Sequence, residues 1–244
     1  MNKEREKYIL KKLLAEKRVE VKSLAREMYA SEPSIRRDLV SLEKQGLLRR
    51  IHGGAIIEED GNSKMKIPFL LRELEQSDEK LICAKRASEL VLDGNVVFLD
   101  SSSSAYNVIP FLASKSRLTV ITNGVKALEK AGEYNIKAIS TGGDYIPQCC
   151  ALVGESAREA VREYNADIMF FSCRGLSQSG KLTDFSREED GVRREMMKNA
   201  KRVYLICTGD KVGKEYFHNI CNITDIDGVI SGSRLNGVLG EKQV

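Results

Sequence analysis

Apolar residues recur at helical spacing at the start of the chain and as short runs further along. A stripe from Tyr8 to Leu14 has the pattern of one amphipathic helix, and Val21, Leu24, Ala25 and Met28 at i, i+3, i+4 and i+7 indicate a second. A third helix is expected to begin after Ser31, a candidate N-cap residue, and to end near Gln45, before Gly46. Three short helices with a tight second turn predict a helix-turn-helix.

The third helix separates apolar from polar side chains. At 100° per residue, Ile35, Leu39 and Leu42 point to one side. The opposite side carries Pro33, Arg37, Ser41 and Lys44, with Arg36 on its flank. Since the last helix of this motif enters the DNA major groove near its N-terminal end, Ser34 and Arg37 are the candidates for base contact.

The next apolar run predicts a wing. Residues 47–56 form two short strands around Gly53-Gly54, and Arg49, Arg50 and His52 on them would contact phosphate. The predicted DNA-binding residues are therefore Ser31, Ser34, Arg36, Arg37, Ser41, Lys44, Arg49, Arg50 and His52.

Charge supports a polyanion partner for this region. Residues 1–57 contain 14 Lys/Arg and 8 Asp/Glu, a balance of +6, whereas residues 58–244 carry 25 and 27, a balance of −2. Neutralising phosphates with such a basic segment supplies most non-specific affinity for nucleic acid. The alternatives are a solvated basic face and a three-helix module that binds another protein.

Beyond a polar stretch at 58–66, apolar runs alternate with amphipathic helices. Strands are predicted at 96–99, 118–121, 136–139, 168–171, 203–206 and 228–230, and helices at 105–113, 125–131, 157–164 and 188–200. This order predicts a mainly parallel α/β domain. The expected organisation is a winged helix-turn-helix at 1–57, a linker and connecting segment at 58–76, and an effector-binding domain at 77–244.

Ligands of such sheets bind beyond the carboxyl ends of the strands. The first strand ends at Asp100 and a run of four serines, where hydroxyl groups, loop N–H groups and a helix N-terminus predict a phosphate-sized anion site. Later strand ends carry small or cationic residues. The predicted effector-binding residues are Asp100, Ser101, Ser102, Ser103, Ser104, Asn123, Gly142, Gly143, Arg174 and Lys211. Each of these also has a plainer interpretation as a cap, a turn or a surface charge.

The N-terminal motifs resemble one known family. The segment 31–39 (Ser-Glu-Pro-Ser-Ile-Arg-Arg-Asp-Leu), Leu42-Glu43, Gly46 and the segment 50–55 (Arg-Ile-His-Gly-Gly-Ala) are similar to the signature of DeoR-type transcriptional repressors. The resemblance implies a winged helix-turn-helix that binds double-stranded operator DNA, usually in front of a sugar-catabolism operon.

The resemblance continues through 69–72, 79–80, 93–94 with 98–101, 122–123, 142–143 and 153–154. It implies a sensor similar to ribose-5-phosphate isomerases that binds a phosphorylated sugar as inducer. It implies Asp100 and the serine loop for phosphate and hydroxyl groups, Asn123 and Gly143 for the sugar, and Lys211 for a charged or hydroxyl group. The chain departs from the family pattern at the serine loop, at Ser172-Cys173-Arg174-Gly175 and at Thr208, and an effector without a phosphate group is the alternative that these departures leave open.

The remaining sequence features narrow the class of protein. The charged start and the lack of a long apolar run predict a cytoplasmic protein with no membrane partner. Six cysteines without a Cys-x-x-Cys pair predict reduced thiols, and neither a metal nor a cofactor is expected.

The expected activity is regulation and not catalysis, so no catalytic residue is assigned. A homo-oligomer is expected, because one monomer reads only a short DNA site. Two alternatives remain open: an isomerase-like enzyme using Asp100, Asp144, Asp184 and Lys211, and a constitutive DNA-binding protein with a silent sensor.

Overall fold

The computed structural model describes residues 3–57, 68–233 and 243. The chain divides into two compact units, Met1–Glu75 and Gln76–Val244. Most of the polar stretch predicted to be a linker lies outside the described residues. The predicted connecting segment 58–76 contains a helix, Phe69–Leu74, whose Leu71 and Leu74 lie in the core of the first unit. This helix contributes apolar surface to that core because its Leu residues are one turn apart.

The first unit is a helix-turn-helix with a wing. Its elements are α1 (Lys3–Glu16), β1 (Arg18–Glu20), α2 (Val21–Glu27), α3 (Glu32–Lys44), β2 (Arg49–Ile51), β3 (Gly54–Ile56) and α4 (Phe69–Leu74). The strands form one antiparallel sheet in the order β1-β3-β2. The three predicted helices and the wing hairpin are confirmed, whereas β1, with only Val19 buried, carries no periodic signal and was not predicted.

The second unit is built around a six-stranded parallel sheet. Its elements are α5 (Ser77–Glu89), β4 (Val96–Leu99), α6 (Ser103–Tyr106), α7 (Ile109–Leu112), β5 (Thr119–Thr122), α8 (Val125–Glu133), β6 (Lys137–Ser140), β7 (Asp144–Ile146), β8 (Ala151–Val153), α9 (Glu155–Arg162), β9 (Ile168–Phe171), β10 (Gly175–Leu176), β11 (Lys181–Asp184), α10 (Arg187–Lys198), β12 (Val203–Ile206), β13 (His218–Asn222) and β14 (Gly228–Ile230). The order of the main sheet is β14-β12-β9-β4-β5-β6, so the predicted mainly parallel α/β fold is confirmed.

This strand order places a switch point at the centre of the sheet. From β4 the chain moves outward through β5 to β6, then returns to the other side of β4 as β9 and moves outward through β12 to β14. Loops at the carboxyl ends of β4 and β9 therefore diverge in opposite directions and leave a crevice between them. The Asp100 and Ser172 loops begin at this crevice.

Both faces of the sheet are covered by apolar side chains. Phe98 packs on the side of α9 and α10, and its neighbours Val97 and Leu99 pack on the side of α5 and α7. A strand that is buried on both faces appears in the sequence as an unbroken apolar run, as Ile168–Phe171 of β9 does. All six strands of this sheet were predicted to within one residue, including the edge strand β6, which is only partly buried.

One predicted helix is wrong. The segment 105–113 is not a continuous helix but the two four-residue helices α6 and α7. Pro110 has no N–H with which to continue the helical hydrogen bonds, and Asn107 turns its side-chain amide to the carbonyl of Ser103. The antiparallel strands β7, β8, β10, β11 and β13 were not predicted. Polar residues interrupt the apolar pattern in the longer of them, Lys181–Asp184 and His218–Asn222, so neither forms an apolar run.

Candidate nucleic-acid interface and effector site

The recognition helix α3 presents a charged face to solvent. Ile35, Leu39 and Leu42 on its other side are fully buried in the core of the first unit. The predicted residues Arg36, Arg37 and Lys44 are exposed, and so is Ser31, while Ser34 and Ser41 are half-buried. The face that periodicity assigned to DNA is therefore the one that the fold leaves uncovered.

Ser31 occupies the predicted N-cap position without using its side chain as a cap. Its carbonyl accepts the N–H groups of Ser34 and Ile35 at 2.9 and 3.1 Å, but its hydroxyl makes no capping hydrogen bond. Tyr29, two residues earlier, is 99% exposed and has a φ of +49°, a left-handed conformation that is unusual for an aromatic residue. The N-terminal end of α3 thus carries exposed polar and aromatic groups.

The two arginines on the helix differ in their contacts. Arg36 is held by Glu32 one turn earlier, with 2.8 Å between Nη2 and Oε2. Within the described part of the chain, the one contact of Arg37 is a long hydrogen bond of 3.4 Å from Nε to the carbonyl of Pro33. Releasing Arg37 costs one weak hydrogen bond, so of the two it is the more available to another molecule.

The wing is tied to the recognition helix by Glu43. Its carboxylate accepts the backbone N–H of Arg50 at 2.8 Å and Arg50 Nε at 2.6 Å. These hydrogen bonds, the backbone one first, lower the pKa of Glu43 below its ordinary value. Arg49 and His52 are exposed on the hairpin. Gly54 of β3 lies so close to the neighbouring strand β1 that a Cβ would lie 2.0 Å from the carbonyl oxygen of Val19.

Asp38 is a buried acid within the DNA-binding motif that sequence reasoning did not single out. It is 4% exposed and forms a two-point ion pair with Arg5 of α1, in which Nη2 lies 3.0 Å from Oδ1. The pair is separated by 33 residues in the chain, so no local pattern could reveal it. It fixes α3 against α1.

In the second unit, the serine loop is buried at the switch point. Asp100 and Ser101 to Ser104 are each at most 6% exposed. Ser102 caps α6 by accepting the N–H of Ala105 at 3.1 Å, and Ser101 donates to Glu189 at 2.9 Å. Because α6 has only four residues, the helix N-terminus expected here amounts to a single turn.

Asp100 is fully engaged inside the protein. One carboxylate oxygen accepts the N–H and the hydroxyl of Ser102, and the other accepts the N–H of Ser172 at 3.3 Å and Arg193 Nε at 2.9 Å. A carboxylate with two partners on each oxygen has little capacity left for a ligand hydroxyl. The hydrogen bonds of Asp100 therefore fix the conformation of the serine loop.

Arg193 is the centre of a buried ion cluster that sequence reasoning missed. It is 2% exposed and contacts Asp100, Asp190 and, at 3.6 Å, Asp184. Burial disfavours its charge, but the surrounding carboxylates raise its pKa above the ordinary value. The sequence predicted Asp100 for the effector site and Asp184 for the alternative isomerase, but it did not connect either acid with Arg193. Asp190 lies in the acidic first turn of α10.

His218 extends this cluster toward solvent. Its Nδ1 lies 2.6 Å from Oδ2 of Asp190, and its side chain is 20% exposed. Burial raises the pKa of Asp190 to about 6, while Arg193 opposes that rise. The two residues are 28 positions apart in the chain, so no local pattern in the sequence connects them.

Lys211 lies on the far side of the switch point. Its ammonium donates to Ser172 Oγ at 2.7 Å, and that hydroxyl donates to the carbonyl of Ile206 at 2.7 Å. Lys211 is 8% exposed. Arg174 is half-buried beside β11, its backbone N–H bonded to Thr183 at 3.0 Å.

Polar atoms without partners mark the same edge of the sheet. Asn123 uses its amide nitrogen on the carbonyl of Leu152, but within the described residues its Oδ1 is buried with no hydrogen bond. The same is true of Thr208 Oγ1 and Ser231 Oγ, which follow β12 and β14. Buried polar atoms are normally satisfied, so three exceptions at strand ends indicate a place where a ligand or water binds.

Gly142 and Gly143 lie at the exposed end of β6. Both have a positive φ, and a Cβ at Gly143 would lie 2.3 Å from the carbonyl oxygen of Val153. This close approach is sufficient to require glycine at position 143, whether or not a ligand binds there. Among the described residues, no cluster of His, Cys, Asp and Glu is arranged to hold a metal ion, and no helix is long and apolar enough to span a membrane.

Comparisons with known proteins identify the family of both units. A model of the DeoR-like helix-turn-helix domain matches residues 5–60, and a model of the DeoR C-terminal sensor domain matches residues 75–233. The HTH-type transcriptional regulator GolR of Listeria innocua is 30% identical over 98% of this chain and 94% of that protein. The glycerol-3-phosphate regulon repressor of Escherichia coli is 26% identical over 86% of this chain and 83% of that protein.

A solved structure was also similar. Ribose 5-phosphate isomerase A of Methanocaldococcus jannaschii aligns with a TM-score of 0.44 and 21% identity, over 57% of this chain and 55% of that chain. The family models cover both units, and the relatives span nearly the whole chain. The chain therefore belongs to the DeoR family of helix-turn-helix transcriptional regulators.

Proposed function

We propose that this protein is a repressor of a sugar-catabolism operon that releases its operator when a phosphorylated sugar or related metabolite binds its sensor unit. The observation that carries the proposal is the uncovered basic face of α3, with Arg37 almost free of internal contacts. The partner is double-stranded DNA. Arg37 and Ser34 contact base edges, and Arg49, Arg50 and His52 of the wing contact phosphates.

The effector binds at the carboxyl edge of the parallel sheet. Support comes from the three unpartnered polar atoms there and from Lys211, a buried cation beside the switch point. In this proposal the serine loop and Lys211 receive the anionic group and Asn123 receives a hydroxyl group, while Arg193 holds Asp100 and thereby the loop. An effector shifts the protein to its released state only by binding that state more tightly.

The carboxylates favour a sensor over an isomerase. An acid-base catalyst needs a carboxylate that can reach the substrate. Asp100 and Asp184 both face the buried guanidinium of Arg193, and Asp144 is exposed at the start of β7. Three of the four residues available for an isomerase are therefore engaged or turned to solvent, which supports regulation without turnover.

We also propose that the protein acts as a homo-oligomer, because a single winged helix covers a short DNA segment and repeated half-sites give a repressor its specificity. Light scattering of the purified protein, alone and with a half-site or full-site duplex, tests this. A protein that stays monomeric on the full-site duplex contradicts it.

The function is tested by titrating the purified protein with DNA from upstream of its own gene, at two salt concentrations, with and without a panel of triose, pentose and hexose phosphates. Preference over a scrambled duplex, lost on adding one sugar phosphate but not inorganic phosphate, is expected. Binding that no compound alters favours a silent sensor, and equal affinity for both duplexes contradicts the proposal. Exchange of the sugar C2 proton with solvent would favour the isomerase instead.

A further inference from the structure

Two buried thiols lie side by side at the carboxyl edge of the sheet. Cys173 is 3% exposed and Cys207 is fully buried. They follow the neighbouring strands β9 and β12, in which Phe171 pairs with Leu205, so the same register continued by two residues places Cys173 opposite Cys207. The residues just before them are in contact, since the hydroxyl of Ser172 donates to the carbonyl of Ile206 at 2.7 Å, so the two segments still lie side by side where the cysteines follow.

The pair is electrostatically asymmetric. The hydrogen bond from Cys207 lowers the pKa of Cys173 against the effect of burial, and the ammonium of Lys211 acts in the same direction. The same hydrogen bond and burial raise the pKa of Cys207 well above its usual value. One sulfur is thus the better thiolate and the other keeps its proton, a division of roles suited to forming a disulfide.

The spacing is also suitable. Neighbouring strands lie about 4.7–4.9 Å apart, within the Cα separation of about 4.4–6.8 Å that disulfides span. The other cysteines lie elsewhere in the fold: Cys83 is buried in α5 and Cys221 is half-buried in β13. Burial raises the pKa of Cys83 to about 11 and that of Cys221 to about 12. Cys149 and Cys150 are neighbours in a turn.

We propose that Cys173 and Cys207 form a reversible disulfide when the protein meets a hydroperoxide. The Cys173 thiolate attacks the peroxide, breaking the O–O bond to give Cys173 sulfenic acid and hydroxide or alkoxide, which takes up a proton. Cys207 then attacks the sulfenic sulfur, the S–S bond forms, and the hydroxyl leaves as water with the proton of the Cys207 thiol. Two electrons pass from the thiols to the peroxide.

The bond would join the strand ends that carry the effector-site groups. Ser172 precedes Cys173, Thr208 follows Cys207, and the hydroxyl of Ser172 accepts the ammonium of Lys211. Oxidation thereby changes the edge where the effector is proposed to bind. The chemistry itself depends on neither the effector nor the DNA, so its test is independent of the proposed function.

The experiment treats the reduced full-length protein with a small excess of hydrogen peroxide, blocks remaining thiols after unfolding, and maps tryptic peptides by mass spectrometry. The expected product links peptides 163–174 and 203–211, two hydrogen atoms lighter than their sum. Two of the six thiols become unavailable, and dithiothreitol restores them. Cys173→Ser and Cys207→Ser each abolish the link, whereas Cys221→Ser and Cys149→Ser, the matched controls, retain it.

Other products would overturn the proposal. A link from Cys173 to Cys221, a link between two chains, or oxidation of Cys173 to sulfinic acid without a link would each exclude this pair. Unfolding is monitored by circular dichroism in the same samples. If thiols are lost only from protein that has unfolded, the native arrangement does not form the bond.

Discussion

The charged side chains at the two candidate sites lie in opposite environments. In the winged-helix unit, Arg36, Arg37 and Arg49 lie on the outside. In the sensor unit, Arg193 is 2% exposed and Asp190 is fully buried. Exposed charges are available to a partner and cost little to remove. Buried charges determine the geometry of the site, and removing one leaves its partners uncompensated.

The largest expected effect is loss of the buried guanidinium. Arg193→Met leaves Asp100 and Asp190 buried without their cation, and we expect the sensor unit to lose about 3–5 kcal/mol of unfolding free energy. Urea denaturation, with hydrogen exchange followed in peptides of each unit, measures this. The matched control is Arg194→Met, which removes an exposed arginine that donates to the backbone carbonyls of Asn219 and Ile220.

Equal losses in the two variants would show that the ion cluster contributes nothing particular to stability. The double variant Asp100→Asn with Arg193→Met removes both charges, and we expect it to recover part of the loss. If the double variant recovers none of the lost unfolding free energy, Arg193 stabilises the unit through its packing and not through its charge.

A second effect is on the pH dependence of the unfolding free energy, to which Asp190 contributes with the sign opposite to that of an ordinary ion-paired acid. Because burial raises the pKa of Asp190 to about 6 from 3.8, the folded unit keeps a proton that the unfolded chain has released. The free energy of unfolding of the sensor unit should therefore fall as the pH rises from about 4 to about 6, by at most about 3 kcal/mol. Asp190→Asn should flatten this slope in urea denaturation, and an unchanged slope would contradict the shift.

The third effect is on DNA specificity. Arg37→Ala should cost about 1–3 kcal/mol in binding to the operator and leave non-specific binding nearly unchanged. Arg49→Ala, the contrasting variant on the wing, should weaken both duplexes by the same factor and lower the salt slope by about 1. Fluorescence anisotropy at several salt concentrations separates the two. If Arg37→Ala also weakens both duplexes equally, Arg37 contacts phosphate.

The smallest effect belongs to an exposed network in the winged-helix unit. Hydrogen bonds from Lys12, Ser23 and Tyr8 lower the pKa of Glu27 to about 2. A depressed acid contributes stability above its unfolded pKa of 4.5 and loses it as the pH falls toward about 2, the opposite of Asp190. Glu27→Gln should remove a small part of the acid sensitivity of this unit in pH-dependent circular dichroism. A full retention of that sensitivity would show that the network is too exposed to matter.

The sequence predicted well wherever burial follows a local rule. Ile168–Phe171 is an unbroken apolar run because both faces of its strand are covered, and Arg37 faces outward because Ile35 and Leu39 face inward. The wing followed from a Gly-Gly turn between short apolar segments. These predictions needed only residues within one or two turns of each other.

The charged cluster could not be predicted in the same way. Arg193 and Asp100 are 93 residues apart, and Asp190 and His218 are 28 apart, so no helical or strand spacing connects them. Within α10, Asp190 and Arg193 look like an ordinary surface pair one turn apart. Only the sheet order, which brings β4 next to β9 under α10, shows that they are buried.

The central pairing of the sensor sheet also has a consequence for the order of folding. Strands β4 and β9 pair Val97 with Ile168, so the middle of the sheet forms only after the 70 intervening residues have been made and brought together. The winged-helix unit is complete within the first 75 residues. Distant pairings form slowly, and chains emerge from the ribosome N-terminus first. We therefore expect the winged-helix unit of each new molecule to fold before its sensor unit, so that DNA binding precedes effector control.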